Sequence, residues 1–288
     1  MKTLIVGMGF GQAVYGNIYK KLGWDITYID ISHPDAHFKT ISDAIEGNDD
    51  CYWDTCHITT PNHTHYELAD TCALYSHIVF VEKPGVANAE QWTKLLDDHP
   101  DTRIMMVKNN QYRNKIIHTH VTKETSVVKI HWICADRVPN PGSWFTNTKL
   151  AFGGVSRDLM PHLLSIYQAI NPQWKDSNIT YSASQQFWTL DDLARSDYGT
   201  VDSNGIYDVD DFAMLRYNQY ELCTNWRSAN EDDFALYIDD ERIELGPLCP
   251  EIAYERMITS ANKHYNDPTF WEIEREKDLW IHQQIQKL

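Results

Sequence analysis

In the first third of the chain, short apolar runs alternate with stretches of helical period. Leu4-Ile5-Val6 opens the series as a strand, and Gln12 to Leu22 follows as an amphipathic helix stopped by Gly23, a residue suited to the left-handed position after a helix. Ile26 to Ile29 reads as the second strand, Ser42 to Glu46 with Gly47 as a short helix, and Thr55 to Thr59 as a third strand. His63 to Tyr75 is predicted helical, with Leu68, Cys72 and Tyr75 on one face, and Ile78 to Val81 is the next strand. Asn88 with Gln91 three positions later resembles a capping box opening a helix through Leu96, and Ile104 to Val107 is a further buried strand. Strands and helices in this alternation build a parallel sheet covered on both faces, a doubly wound domain.

Beyond about residue 118 the pattern changes. Val127 to Cys134, Asp211 to Tyr217, Tyr220 to Trp226 and Phe234 to Leu245, with Asp239-Asp240 as its turn, read as longer, mostly antiparallel strands. One strong helix, Ser156 to Ile170, interrupts them, and Glu251 to Tyr265 and Phe270 to Gln286 close the chain as helices. Leu190 to Gly205 is polar and weakly patterned, as expected of a surface loop. The expected division is residues 1–117 as a Rossmann nucleotide domain and 118–288 as an α+β substrate and oligomerisation domain with an open sheet, the last helix being free to return to the first domain.

The 288 residues exceed what one core usually serves, and a 42% apolar content excludes global disorder. With 41 acidic against 25 basic side chains the formal charge is -16, which repels a phosphate backbone, so nucleic acid is not an expected partner. No apolar run approaches the roughly 18 residues of a membrane span, and no cleavable leader follows Met1, so a cytoplasmic location is expected. Cys51, Cys56, Cys72, Cys134, Cys223 and Cys249 are scattered, which reads as reduced thiols with no structural metal. Trp132, Phe212, Trp226 and Phe234 cannot all lie beneath one helix layer, so an exposed aromatic sheet face and a homodimer or homotetramer are expected.

The chemistry gathers in five places. Gly7, Gly9 and Gly11 follow the first strand and open a helix, where glycines let the backbone approach a pyrophosphate and the helix end meets its charge. Gln12 stands where the usual third glycine falls, with the small Ala13 beside it. Asp30, nineteen residues after Gly11 at the end of the second strand, is placed to grip ribose hydroxyls and favours NAD over NADP; Ser32 and His33 would accept a phosphate instead if the loop turned Asp30 away. Thr59-Thr60-Pro61-Asn62 ends a strand beside the glycine turn, where parallel sheets bind ligands. Lys83, between Glu82 and Pro84 at the end of a buried strand, is either an ammonium close to a nicotinamide or a loop lysine paired with Glu82. After Gly153-Gly154, Ser156 can cap a helix on which Asp158 and His162 lie four apart on one face.

Taken together, GMGFGQA, TPNHTH, EKP and GGVSRDLMPH, in this order, resemble the glucose-fructose oxidoreductase, inositol dehydrogenase and rhizopine catabolism (Gfo/Idh/MocA) family over roughly residues 1 to 170. The resemblance implies a Rossmann domain joined to an open antiparallel-sheet domain, NAD(P), and hydride transfer to or from a hydroxyl or ketone carbon of a sugar-like substrate. It implies Lys83, Asp158 and His162 as the catalytic set, and cofactor contacts from Gly7, Gly9, Phe10, Gly11, Gln12, Asp30, Thr60, Pro61, Asn62, His65 and Glu82. Candidate substrate contacts are Lys83, Arg113, Arg137, Trp144, Arg157 and His162, the arginines serving if the sugar carries a carboxylate or phosphate. The chain departs from the family's Asp-x-Gly-x-His in having Met160 for the glycine, followed by Pro161, so a different helix entry or a different space over the nicotinamide is expected. A biliverdin-type reductase and a non-catalytic dinucleotide sensor are the rivals on the same scaffold; Lys83 weighs against the first, and the retained Lys83, Asp158 and His162 together weigh against the second.

Overall fold

The computed structural model describes residues 1–47, 51–119, 121, 127–135, 137–194, 201–228, 232–247 and 250–288. Five short segments form the strands β1 (Lys2–Val6), β2 (Asp25–Ile29), β3 (Trp53–Ile58), β4 (Ser76–Val81) and β5 (Arg103–Met106). They pair in parallel in the order β2-β1-β3-β4-β5. The central strands are buried on both faces, which is why β1 and β4 read as continuous apolar runs, Leu4–Val6 and Ile78–Val81, while β3 buries Thr55 and His57 among its apolar residues. The order reverses between β1 and β3, so a crevice opens at their carboxyl ends.

The helix after β1 runs in three segments, Gly9–Gly11, a π-helical stretch Gln12–Gly16 and Asn17–Leu22. Gly23 ends it in the left-handed conformation with φ of 72°. In front of helix Ala89–Asp98, Asn88 accepts the Gln91 N–H at 2.8 Å, while Gln91 reaches the Ala87 N–H instead of closing a full capping box.

The second sheet has the order β11-β10-β6-β9-β8-β7, built from β6 (Val128–Ile133), β7 (Tyr181–Gln185), β8 (Phe212–Tyr217), β9 (Tyr220–Asn225), β10 (Asp233–Ile238) and β11 (Glu241–Glu244). Every pairing is antiparallel except β6 with β9. Asp239 and Asp240, with φ of 48° and 68°, make the tight hairpin between β10 and β11. The pattern missed β7, since YSASQ at the sheet edge has no apolar alternation to betray it. Of the polar stretch 190–205, Leu190–Ala194 is a short helix with Leu193 buried, and residues 195–200 lie outside the described residues, as does Cys249.

The chain divides into two compact units, Met1–Val107 with Tyr254–His282, and Lys108–Ala253 with Gln283–Leu288. The boundary therefore falls earlier than the one drawn at 117. Asn109, Asn110 and Gln111 are buried, and their turn and helix Asn114–Ile117 pack on helix Met160–Ile170 of the second unit. Helix Met160–Ile170 lies on β6 and β9. Trp132, Trp226 and Phe234 are buried and Phe212 is part-exposed, so the expectation of an exposed aromatic face made of all four fails for three of them: Trp132 packs against Phe234 and His162, and Trp226 lies against Phe145 and donates to Asp158.

Candidate active site

In the first unit, the cofactor candidates stand at the carboxyl ends of β1 to β4. The glycine turn is shaped by its neighbours. Gly7 has φ of +96°, and a Cβ there would come within 2.8 Å of the Thr59 carbonyl. A Cβ on Gly11 would stand 2.5 Å from Thr59 Oγ1 and 2.7 Å from an Ile5 methyl. Thr59 donates through Oγ1 to the Gly7 carbonyl at 2.7 Å, locking the two loops together. At Gly9 a Cβ would meet nothing within 4 Å, so neither fold nor backbone requires a glycine there. Phe10 stands partly exposed beside it, its ring edge-on to Tyr15 and Tyr254, and Gln12 begins the π-helical stretch.

Asp30 is gripped by its own loop and by the glycine turn. Its carboxylate accepts from the Met8 N–H at 2.8 Å, the Ser32 and His33 N–H groups at 2.9 Å each, and the Ser32 hydroxyl at 3.1 Å. Burial alone would raise its pKa, but these donors outweigh it and hold the carboxyl at about 2. Ser32 and His33 thus fold around Asp30 rather than turning it away.

Across the crevice, Thr60 Oγ1 and Thr64 Oγ1 lie 2.6 Å apart, and Thr64 donates to the Pro61 carbonyl, closing the turn that begins Asn62–Thr64. His65 is fully buried, with Nδ1 2.7 Å from the Gly85 carbonyl and Nε2 2.8 Å from the Thr60 carbonyl, so it spans the loops after β3 and β4. Burial pushes its pKa down to about 4. Glu82 is also buried. It accepts the Tyr15 hydroxyl at 2.5 Å and the Lys83 N–H at 3.2 Å, and burial together with this carboxylate pushes the Tyr15 phenol well up. Tyr15 lies fully buried in the π-helical stretch, a partner no sequence motif announced.

In the second unit, the single helix expected over Ser156–Ile170 is two, Val155–Asp158 and Met160–Ile170, broken at Leu159. Pro161 explains the break, because it has no N–H to donate and sits in the first turn of the second helix. Ser156 does not cap the first helix. Asp210 does, its carboxylate accepting the Gly154 N–H at 2.9 Å, the Ser156 N–H at 2.8 Å and the Ser156 hydroxyl at 2.8 Å. Asp158 is buried and accepts the Trp226 indole N–H at 2.9 Å; His162, also buried, lies against the Trp132 ring at 5.2 Å and 31°.

The substrate candidates divide. Arg113 is buried, donates to Asn110 Oδ1 and to the Leu245 and Pro247 carbonyls, and packs over Phe234, so the structure uses it as a tether. Arg157 donates to the Ile285 carbonyl while its Nε is buried without a partner among the described residues, and burial lowers its pKa. Trp144 is half-buried in the turn Trp144–Thr146, its ring 4.6 Å from Phe145, which in turn lies 6.1 Å from Trp226. Arg137 lines a 480 Å³ hollow with Trp132, Cys134, Asp232, Phe234 and Arg242. Among the described residues no group of three or more His, Cys, Asp or Glu is arranged to hold a metal ion.

No family model and no curated protein sequence matches the chain. Solved structures do. GenD2 from gentamicin A biosynthesis, in complex with NAD, superposes with a TM-score of 0.73 at 14% identity, covering 99% of this chain and 92% of that one. A levoglucosan dehydrogenase in its apo form gives 0.71 at 16%, covering 99% and 94%. A myo-inositol dehydrogenase from Corynebacterium glutamicum ATCC 13032 gives 0.68 at 13%, again covering 99% and 94%. At these identities the likeness establishes a shared two-domain fold, a Rossmann-like parallel sheet with a separate, mostly antiparallel one.

Proposed function

We propose that the chain is an NAD-dependent oxidoreductase acting on a secondary alcohol or ketone carbon of a sugar-like or cyclic polyol substrate. The observation that carries this reading is Gly9. Packing accounts for Gly7 and Gly11, whereas the open side of Gly9, at the mouth of a helix, is the space a pyrophosphate would fill. Gly7, Gly9, Phe10, Gly11 and Gln12 would hold the phosphates and Asp30 the adenosine ribose, with Thr60, Pro61, Asn62, His65 and Glu82 on the nicotinamide side. The wrapped Asp30 carboxylate supports NAD over NADP, since a 2'-phosphate would meet a fixed negative charge.

When bound, NAD supplies a carbon that accepts or returns hydride. His162 takes the hydroxyl proton, Asp158 supports it electrostatically, and the Trp226 indole keeps that carboxylate oriented. Lys83 donates to the reacting oxygen and stabilises charge on it. Structural neighbours named for levoglucosan and myo-inositol support a polyol as substrate. We further propose a cytoplasmic homodimer or homotetramer formed through the open face of the second sheet.

The test is titration with NADH and NADPH, followed by energy transfer from tryptophan, and then a panel of polyols and sugar acids. Gly9→Ala should leave thermal stability unchanged while weakening NADH at least tenfold, about 1.4 kcal/mol. Lys83→Met should keep NADH binding and lower turnover by about a hundredfold. Failure of the wild-type protein to bind either nucleotide would overturn the reading.

A further inference from the structure

The closing helix Pro268–Ile285 carries two fully buried polar side chains one turn apart, Asp278 and His282. Asp278 accepts the Met106 N–H at 2.9 Å, at the carboxyl end of β5. His282 Nδ1 lies 2.8 Å from the Asp278 carbonyl, an atom that only accepts, so Nδ1 bears the proton and Nε2 is left with a lone pair. Nε2 accepts the Val86 N–H at 3.3 Å, and the ring stacks on Trp92 at 4.9 Å and 20°. A Cβ on Gly85 would stand 2.5 Å from Nε2, so the imidazole fills the space beside this loop. From the other side His65 reaches the Gly85 carbonyl. The segment held between the two rings is the one that begins with Lys83.

We propose that His282 is a positioning residue for Lys83, fixing the loop Lys83–Val86 through a neutral ring whose proton-bearing nitrogen is set by its own helix. The inference rests on the reading of Lys83 as the group at the reacting oxygen. Its physical basis is that a lysine on a loop gains a defined place only if the loop backbone is tied down. Here Val86 supplies the donor and Gly85 the acceptor for those ties, and the closing helix, distant in sequence, supplies one of the partners.

The experiment labels lysines with acetic anhydride and reads each site by mass spectrometry, with Lys21 and Lys149 as controls. His282→Phe keeps a stacking ring and removes the acceptor; the Lys83 labelling rate should change about fivefold or more, with the controls unmoved. His282→Gln, whose side-chain carbonyl can accept the Val86 N–H, should return the rate towards wild type. An unchanged Lys83 rate in folded His282→Phe, or an equal change at every lysine, would overturn the proposal. If His282→Phe does not fold, the wild-type protein decides. A proton on Nδ1 of His282 with slow exchange of the Val86 amide supports the tie, and a proton on Nε2 or loop-like exchange refutes it. Titration of the wild type with NADH separates the two levels, because absent binding removes the cofactor reading while the labelling result still judges the tie.

Discussion

Asp30 illustrates how a residue picked out by spacing acquires its physical character from its surroundings. Four donors from the glycine turn and its own loop bring its carboxyl down to about 2, below the unfolded value of about 3.9. A group depressed in this way contributes stability above pH of about 4 and loses it as pH falls through about 2. Asp30→Asn should therefore be less stable than wild type at pH 6, and the gap should be clearly smaller at pH 2.5, closing only below the folded value of about 2; denaturant midpoints at both pH values measure it, and a gap independent of pH would refute the assignment. Lys83, Asp158, His162 and the glycine turn were all legible as motifs, because each is defined by near neighbours in the chain. Trp226, Asp210 and His282 were not. Their partners lie 68, 54 and 196 positions away, and no local pattern encodes such pairings.

At the scale of elements, periodicity located the strands of the parallel sheet and the hairpins of the second, since continuous and alternating apolar runs have distinct physical causes. It could not see that Pro161 divides one apolar stretch into two helices, nor that the first of these is capped from outside. The cap carries a prediction. Asp210→Ala removes three accepted hydrogen bonds at the start of Val155–Asp158 and should cost about 1–2 kcal/mol in urea unfolding. It should also lower turnover, by loosening the helix end that carries Asp158, while NADH affinity holds. Unaltered stability would show that the cap contributes nothing.

For the whole molecule, a formal charge of -16 opposes self-association, so any shared surface must be locally balanced. The open face of the second sheet meets that condition. Arg216 pairs with Glu221, and Arg242 pairs with Asp233, around Phe212, Met214 and Ile133. Light scattering at micromolar concentration should accordingly show a dimer or tetramer, and a monomer would refute it. No helix among the described residues is long and apolar enough to cross a membrane. What the sequence by itself determined is the order of elements, the doubly wound class and the motif residues, because backbone propensity, hydrophobic period and short-range turn chemistry all act between near neighbours. Only the tertiary structure decided which side chains hold those residues in place. Burial forces each polar group to find a partner wherever the fold brings one, and for Asp158, Gly154 and Val86 that partner comes from a distant part of the chain.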